Sequence, residues 1–280
     1  MPTLSLTKFI EDIIHVKRSG LFGLGQLFAE SFSLFAIIAL VFGIASYLAG
    51  SLNFAIIISK IKYRDDIRNY GSKNAGFTNM KRVFGTKAAI ATIVGDMLKG
   101  VVCTGLALLL FGEVIAYVAG LGAILGHCYP IYYGFKGGKG VATLASVVLV
   151  LEPIVFLILF VLFAIITLTS KYLSLASIMV ALLYPLLLDR FYAIVYESVP
   201  IFIGSDGEKY GTYLSPVVSL ITIFISLFVI FKHRSNIKRI WSGTENKFYL
   251  KNKPLKEAAA SVETPKSLHT IDKDDPEDQK

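Results

Sequence analysis

Residues 69–85, NYGSKNAGFTNMKRVFG, gather Ser72, Lys73, Asn74, Thr78, Asn79, Lys81 and Arg82 around Gly71, Gly76 and Gly85. Hydroxyls, amides and cations satisfy phosphate oxygens, and glycines let backbone N–H groups approach an anion closely. The stretch lies between two long apolar runs, which reads as a phosphate-handling loop at a membrane surface. A second stretch, GHCYPIYYGFKGGKGVAT from 126 to 143, places Lys136, Gly137, Gly138, Lys139 and Gly140 directly before an apolar helical segment. Free backbone N–H groups and a positive helix N-terminus then sit side by side, an anion cradle. It is not a Walker A loop, because no Gly-Lys-Ser/Thr follows at the required distance. A third, KHRSNIKRIWSGTENKF from 232 to 248, sets His233 and Asn236 on one helix face, flanked by Arg234 and Lys238. Alone, His233 beside arginines reads as a headgroup contact; two other phosphate-like loops on the same side turn it into a site residue.

Composition supplies the membrane. Of 280 residues, 54% are hydrophobic and only 17% charged, with a mean hydropathy of +0.63, which places the chain among polytopic membrane proteins. No second, soluble domain is evident. The net charge of +8 sits in loops flanking apolar runs, where the positive-inside rule and anionic headgroups explain it, so nucleic acid is not an expected partner. Cys103 and Cys128 lie in or beside apolar runs without CxxC spacing and read as packing residues. The acids are scattered, so no metal ligand set and no cofactor are expected.

These features predict an all-α, polytopic integral membrane protein of about seven transmembrane helices. A span over 32–59 precedes a loop whose cations, from Lys60 to Lys87, outnumber Asp65 and Asp66, which places the loop in the cytoplasm. Residues 88–111 return outward and 114–133 inward. The run 141–169 is broken at Glu152-Pro153 into two short spans, as proline after glutamate favours. Residues 172–188 then go out, 189–212 form an outer loop, and 213–231 come in. This parity leaves Lys232, His233, Arg234, Lys238 and Arg239 inside, the N-terminus outside and the C-terminus cytoplasmic; it also leaves Lys8, Lys17 and Arg18 outside, against the rule. Residues 1–31 form an extension, either a short amphipathic helix or disordered, with no cleavable signal peptide. The membrane domain is 32–250, and 251–280 is a disordered acidic tail. His269 and Asp274 in that tail make a chance HxxxxD pair, since nothing there can position them.

Asp96 and Lys99 fall inside the second apolar run, where charges are expensive and face protein or a wet site. Three residues apart, they meet on one helix face. They form either a structural ion pair or a pair in which Lys99 also faces the phosphate pocket.

Taken together, GSLNFAIIISK, IRNYGSKNAGFTN with MKRVFG, GDMLKG, LGHCYPIYYGFKGGKGVAT, SKYLSLASI and KHRSNIKRIWSGTE, in that order, resemble the membrane-integral acyl-phosphate:glycerol-3-phosphate acyltransferases (PlsY) of bacterial phospholipid synthesis. The resemblance covers roughly residues 41–248. It implies seven spans in the bacterial cell membrane, cytoplasmic site loops, and transfer of a fatty acyl group from acyl phosphate to the sn-1 hydroxyl of glycerol 3-phosphate, giving lysophosphatidic acid and inorganic phosphate. By the same resemblance Ser72, Asn74 and Arg82 bind phosphate or are essential. Lys139 with Gly137, Gly138 and Gly140 serves glycerol 3-phosphate. Ser177 lines the pocket, His233 and Asn236 belong to the third motif, and Glu245 is structural. Ser72, Arg82, Lys139, His233 and Asn236 are taken as the catalytic set, with Asn74, Lys99, Gly137, Gly138, Gly140 and Ser177 binding substrate. The bilayer and functional coupling to the enzyme that supplies acyl phosphate are the implied partnerships.

The chain departs from that pattern at Lys73, where the family commonly has glycine, and at Asn53 and Ala55, where proline and glycine are frequent. A positive φ at Lys73 would carry strain, while its ammonium would add to the phosphate site. An acyl phosphate is already activated, so an oriented hydroxyl and a stabilised leaving phosphate suffice. The hydroxyl proton goes to His233 or to the acyl phosphate's own oxygen; the latter is favoured because no carboxylate is evident to hold His233. Two competing classes are an organic-phosphate transporter using the same loops, against which no second copy of GSKN or FKGGKG is found, and a lipid-headgroup scaffold, which leaves the glycine-rich loops unexplained.

Overall fold

The computed structural model describes residues 31–197 and 216–249. The N-terminal extension up to residue 30, most of the outer loop and the acidic tail lie outside the described residues. Ten α-helices and two 3-10 turns are present among the described residues, and no strand. In order, α1 is Phe32–Gly50, α2 Phe54–Tyr63, α3 Phe77–Phe84, α4 Thr86–Phe111, α5 Glu113–Cys128, α6 Val141–Leu151, α7 Pro153–Ser170, α8 Leu173–Glu197, α9 Pro216–Lys232 and α10 Arg234–Trp241.

The polytopic character follows from length and hydropathy. Five helical segments, with α1 and α2 counted as one, are long and apolar enough to cross a membrane, and α9 with α10, bent by 55°, makes a sixth candidate. The expected break at Glu152-Pro153 is present: α6 ends at Leu151, and Pro153, whose missing N–H would have no intrahelical acceptor there, opens α7. At eleven residues, α6 extends about 16 Å, roughly half of a bilayer core. Two boundaries differ from expectation. The first apolar run is interrupted at residues 51–53, where Asn53 caps α2 by accepting from the Ile56 N–H at 3.2 Å. And α8 runs through Asp189 to Glu197, because reaching water ends a span but not a helix.

Helix α5 is the hub, packed against α1, α4, α6 and α9. Its seam with α1 is built from small residues. A Cβ on Gly122 would stand 2.4 Å from the Gly43 carbonyl oxygen, and one on Gly126 would stand 2.2 Å from that of Tyr47. Backbones at this separation gain the close van der Waals packing on which helices in lipid depend. The main core, with Tyr117, Ile124, Val147, Leu151 and Ile225 fully buried, fills the bundle. Leu40, Leu157 and Leu220 point outward at 63%, 60% and 68% exposure, the apolar belt that lipid covers.

A second, smaller core sits under the polar loops. Ala55, Ile56, Ile67, Ala75, Met80 and Val83 are buried together, ringed by Tyr63, Tyr70, Phe77 and Phe84. Each large side chain fully buried there stabilises by about 1.5–3 kcal/mol, so the loop of residues 69–79 rests on a floor of its own. Gly126→Ala is expected to lower the melting temperature in detergent, at a cost of roughly 1–3 kcal/mol for overpacking. Gly105→Ala, where a Cβ meets nothing within 4 Å, is expected to leave the melting temperature unchanged or raise it, with a stability gain of up to about 1 kcal/mol.

Candidate active site

Three loops converge at one end of the bundle. In the first, Asn79 is the organiser: its Oδ1 accepts from the Ser72 N–H at 3.0 Å, and its Nδ2 donates to the Tyr70 and Ile67 carbonyls at 3.0 and 3.2 Å. This pulls residues 70–72 into a turn and presents Ser72 and Asn74 beside Arg82 of α3. Arg68 joins the first loop to the second. Held by Asp66 at 2.8 and 2.9 Å, it donates to the Tyr133 and Lys136 carbonyls at 2.6 and 3.1 Å.

The second loop needs its glycines for close approach. A Cβ on Gly137 would lie 2.1 Å from the His127 carbonyl oxygen, and one on Gly138 would lie 2.1 Å from His127 Nε2. Gly140 opens α6 at φ +84°, a conformation open to glycine at no steric cost. Between them Lys139 reaches across, and its Nζ donates to Asn236 Oδ1 at 2.5 Å.

Beneath this loop lies a buried polar cluster. Lys99 Nζ donates to the Gly50 and Leu52 carbonyls, each at 2.8 Å, and pairs with Asp96 Oδ1 at 3.0 Å. The same Nζ lies 3.1 Å from His127 Nδ1, which is itself 3.3 Å from Asp96 Oδ1, so the imidazole closes a cluster with the ion pair.

The third loop surrounds Glu245. Its carboxylate accepts from Ser174 Oγ, Asn236 Nδ2 and Arg239 Nε, each at 2.7 Å. Burial pushes the carboxyl's pKa up, but these hydrogen bonds outweigh burial and hold it below the usual range. The Asn236 amide is thereby oriented, nitrogen to Glu245 and oxygen to Lys139. His233 Nδ1 lies 2.8 Å from the Val229 carbonyl, so the neutral ring carries its proton there and turns Nε2 to the cavity. The chain then crosses the mouth: the Phe248 N–H donates to the Lys171 carbonyl at 2.7 Å, and Lys81 Nζ donates to the Tyr249 carbonyl at 2.6 Å, 4.1 Å from the Phe248 ring centre.

The loops enclose a cavity of about 690 Å³. Ser72, Asn74, Arg82, Lys139, His233 and Asn236 line its polar end, and Val148, Phe156, Leu159, Phe163, Val180 and Tyr184 line an apolar slot between α6, α7 and α8. A neighbouring recess of about 230 Å³ is bordered by Lys73, Lys139, Lys232, Arg234 and Arg239, and no carboxylate lines it. Burial, together with the charges of Arg239, Lys232 and Arg82, depresses the Lys139 pKa to about 8 against the opposing pull of Glu245.

The glycerol-3-phosphate acyltransferase family matches residues 40–243 of this chain. The chain belongs to that family, in its membrane-integral PlsY form. It is 39% identical over 208 residues to the glycerol-3-phosphate acyltransferase of Finegoldia magna, covering 74% of this chain and 95% of the relative. It is 40% identical over 204 residues to that of Bacillus subtilis, covering 73% and 94%. A crystal structure of PlsY, described as an integral membrane glycerol 3-phosphate acyltransferase in its glycerol 3-phosphate form, superposes with a TM-score of 0.63 at 35% identity, covering 75% of this chain and 96% of PlsY.

Of the acyltransferase residues expected from sequence, Ser72, Asn74, Arg82, Lys139, Gly140, Ser177, His233 and Asn236 line the 690 Å³ cavity. Gly137 and Gly138 stand behind it and shape the loop. Lys99 is not among the residues that line the cavity; its ammonium is turned to Asp96, His127 and two backbone carbonyls. Three contributors were not expected. His127 and Asp96 border the cavity, and Arg239 clamps Glu245. A histidine inside an apolar run was the available signal for His127. Lys73 does adopt positive φ, at +57°, and borders the recess. Lys73→Gly is expected to stabilise the fold by about 1 kcal/mol through relief of the left-handed conformation. The same change removes a recess cation and should raise KM for the anionic substrate about two- to three-fold, the worth of an exposed pair; melting and steady-state kinetics read both.

Proposed function

We propose that the enzyme takes its acyl group from acyl phosphate and delivers it to the sn-1 hydroxyl of glycerol 3-phosphate, releasing inorganic phosphate. The observation that carries this reading is the single cavity that joins a cationic mouth to an apolar slot. A fatty acyl chain needs the slot, and two phosphorylated groups brought together need the cations. At a separation of about 4 Å two unit charges repel by about 4 kcal/mol near a protein surface, which Arg82 and Lys139 offset. Ser72, Asn74 and Arg82 hold the acyl phosphate's phosphoryl group. Lys139, with the N-terminus of α6 behind it, and the adjoining recess hold glycerol 3-phosphate.

The sn-1 oxygen attacks the acyl carbon, the bond from that carbon to the phosphate oxygen breaks, and the ester forms. His233 Nε2 accepts a hydrogen bond from the attacking hydroxyl and aims it. The proton passes to the departing phosphate, because the Val229 carbonyl fixes the His233 tautomer without supplying the negative charge that would stabilise an imidazolium. Asn236, held by Glu245, keeps Lys139 in register. Ser177 packs beside the reacting end of the slot. Residues 32–250 form the catalytic unit, in seven spans with α6 and α7 as a broken pair. The basic loops face the cytoplasm of a bacterial cell membrane, as the positive-inside rule favours, and the enzyme that makes acyl phosphate supplies the slot.

Purified protein given palmitoyl phosphate and glycerol 3-phosphate is expected to release phosphate and lysophosphatidate in equal amounts, and Arg82→Ala to lose at least ~10²-fold in rate, the scale of one removed transition-state donor. Phosphate without lysophosphatidate, or neither product from folded protein, would overturn the donor assignment. Because kcat/KM reports the free enzyme, and Lys139 is charged only below its pKa of about 8, kcat/KM for glycerol 3-phosphate should fall as pH rises through that value. Lys139→Arg, charged throughout, should remove that limb from the pH profile.

A further inference from the structure

The lipid-facing row of α9 does not stop where α9 ends. Leu220, Phe224, Leu227 and Phe231, spaced at helical intervals, are 68%, 50%, 60% and 55% exposed, the outward face of a helix in a bilayer. The chain bends by 55°, and the row continues on α10. The Arg234 guanidinium lies 4.7 Å from the Phe231 ring centre, and Lys238 and Trp241 follow at the next intervals of four and three. Trp241 is 91% exposed and Ile237 beside it 38%.

The opposite face of the same eight-residue helix belongs to the active site. His233, at its N-cap, and Asn236 are 2% and 4% exposed, and Arg239 holds Glu245. One short helix thus carries a catalytic face inward and a mixed aromatic and cationic face outward. A helix turned to bulk water gains nothing from an outward Trp and Ile. The headgroup layer favours this composition, since indole rings settle at that depth and Lys and Arg meet anionic lipid there. The bend lays α10 away from the α9 axis at the end of a span, the height at which that layer lies.

We propose that α10 is an interfacial helix whose Trp241 and Ile237 enter the headgroup boundary and whose Lys238 engages anionic phospholipid headgroups of the enzyme's own bilayer, while Arg234 lies between that face and the substrate recess. The bilayer then seats the helix that brings Asn236 to Lys139. Juxtamembrane cations are attracted to an anionic surface, which biases so short an element toward it.

Trp241 is the chain's single tryptophan, so the emission of the intact protein reports this position, and it does so without substrate or turnover. In vesicles of phosphatidylcholine and phosphatidylglycerol, the expected result is blue-shifted emission, shielding from acrylamide, and quenching by lipids brominated near the chain carbonyls. Acrylamide quenching as full as that of a free indole, with indifference to brominated lipid, would overturn the proposal. Shielding from acrylamide without lipid quenching would also overturn it, because protein would then be covering Trp241. Lys238 is outside the catalytic set, and Lys238→Glu should reduce quenching by brominated phosphatidylglycerol more than by brominated phosphatidylcholine. Equal quenching before and after that change would remove the anionic preference.

Discussion

The Asp96–Lys99 pair is the interaction on which the site depends. The first apolar run breaks at residues 51–53, and a break in a membrane helix strands carbonyls and N–H groups that water cannot reach. Lys99 takes up the Gly50 and Leu52 carbonyls, while Asp96 Oδ1 accepts from the Phe54 N–H at 3.4 Å. A buried ion pair is seldom favourable by Coulomb attraction alone, because both charges must leave water. Here each ion also satisfies backbone groups that would otherwise cost several kcal/mol apiece. Loss of either ion would leave the other buried without its partner and reopen the break.

That break is also what brings the loops together. Below it α1 is sealed to α5 by Gly50, Gly122 and Gly126; above it α2 leans onto the small core that carries residues 69–79. His127, pinned by Asp96, stands directly under Gly138, and Gly138 donates its N–H to the His127 carbonyl at 3.1 Å. The floor of the anion loop is therefore one end of the ion-pair cluster.

Cations crowded around an anion site repel one another while the site is empty. The protein restrains them with few acids, placed outside the phosphate recess. Asp66 fixes Arg68, and Glu245 fixes Arg239 and, through Asn236, Lys139. Lys139 answers the remaining repulsion and its burial with a lowered pKa, which leaves it partly poised to lose its proton. An arriving phosphate supplies the charge that this arrangement lacks.

The sequence by itself determined the membrane class and the helix break at Glu152-Pro153, and of the eleven positions it marked, by loop chemistry and by family resemblance, eight line the cavity. The first two depend on local chemistry, hydropathy over one span and proline's missing N–H, and the loop positions on the affinity of Ser, Asn, Lys and Arg for phosphate; Ser177 came with the resemblance. The structure alone showed which groups Lys99 meets, since an ion pair at helical spacing is the same string whether its other partners are substrate or the carbonyls of a broken helix. It decided the place of His127, whose ring meets Asp96 and Lys99 of another helix, and of Asn79, whose amide meets backbone groups across a turn, and it gave His233 its tautomer through a carbonyl that no sequence pattern marks. It also showed that Lys73 accepts the left-handed turn its family commonly gives to glycine. Local composition specifies which groups can meet a phosphate; which of them are free to do so is settled by where every other hydrogen bond in a water-poor interior must go.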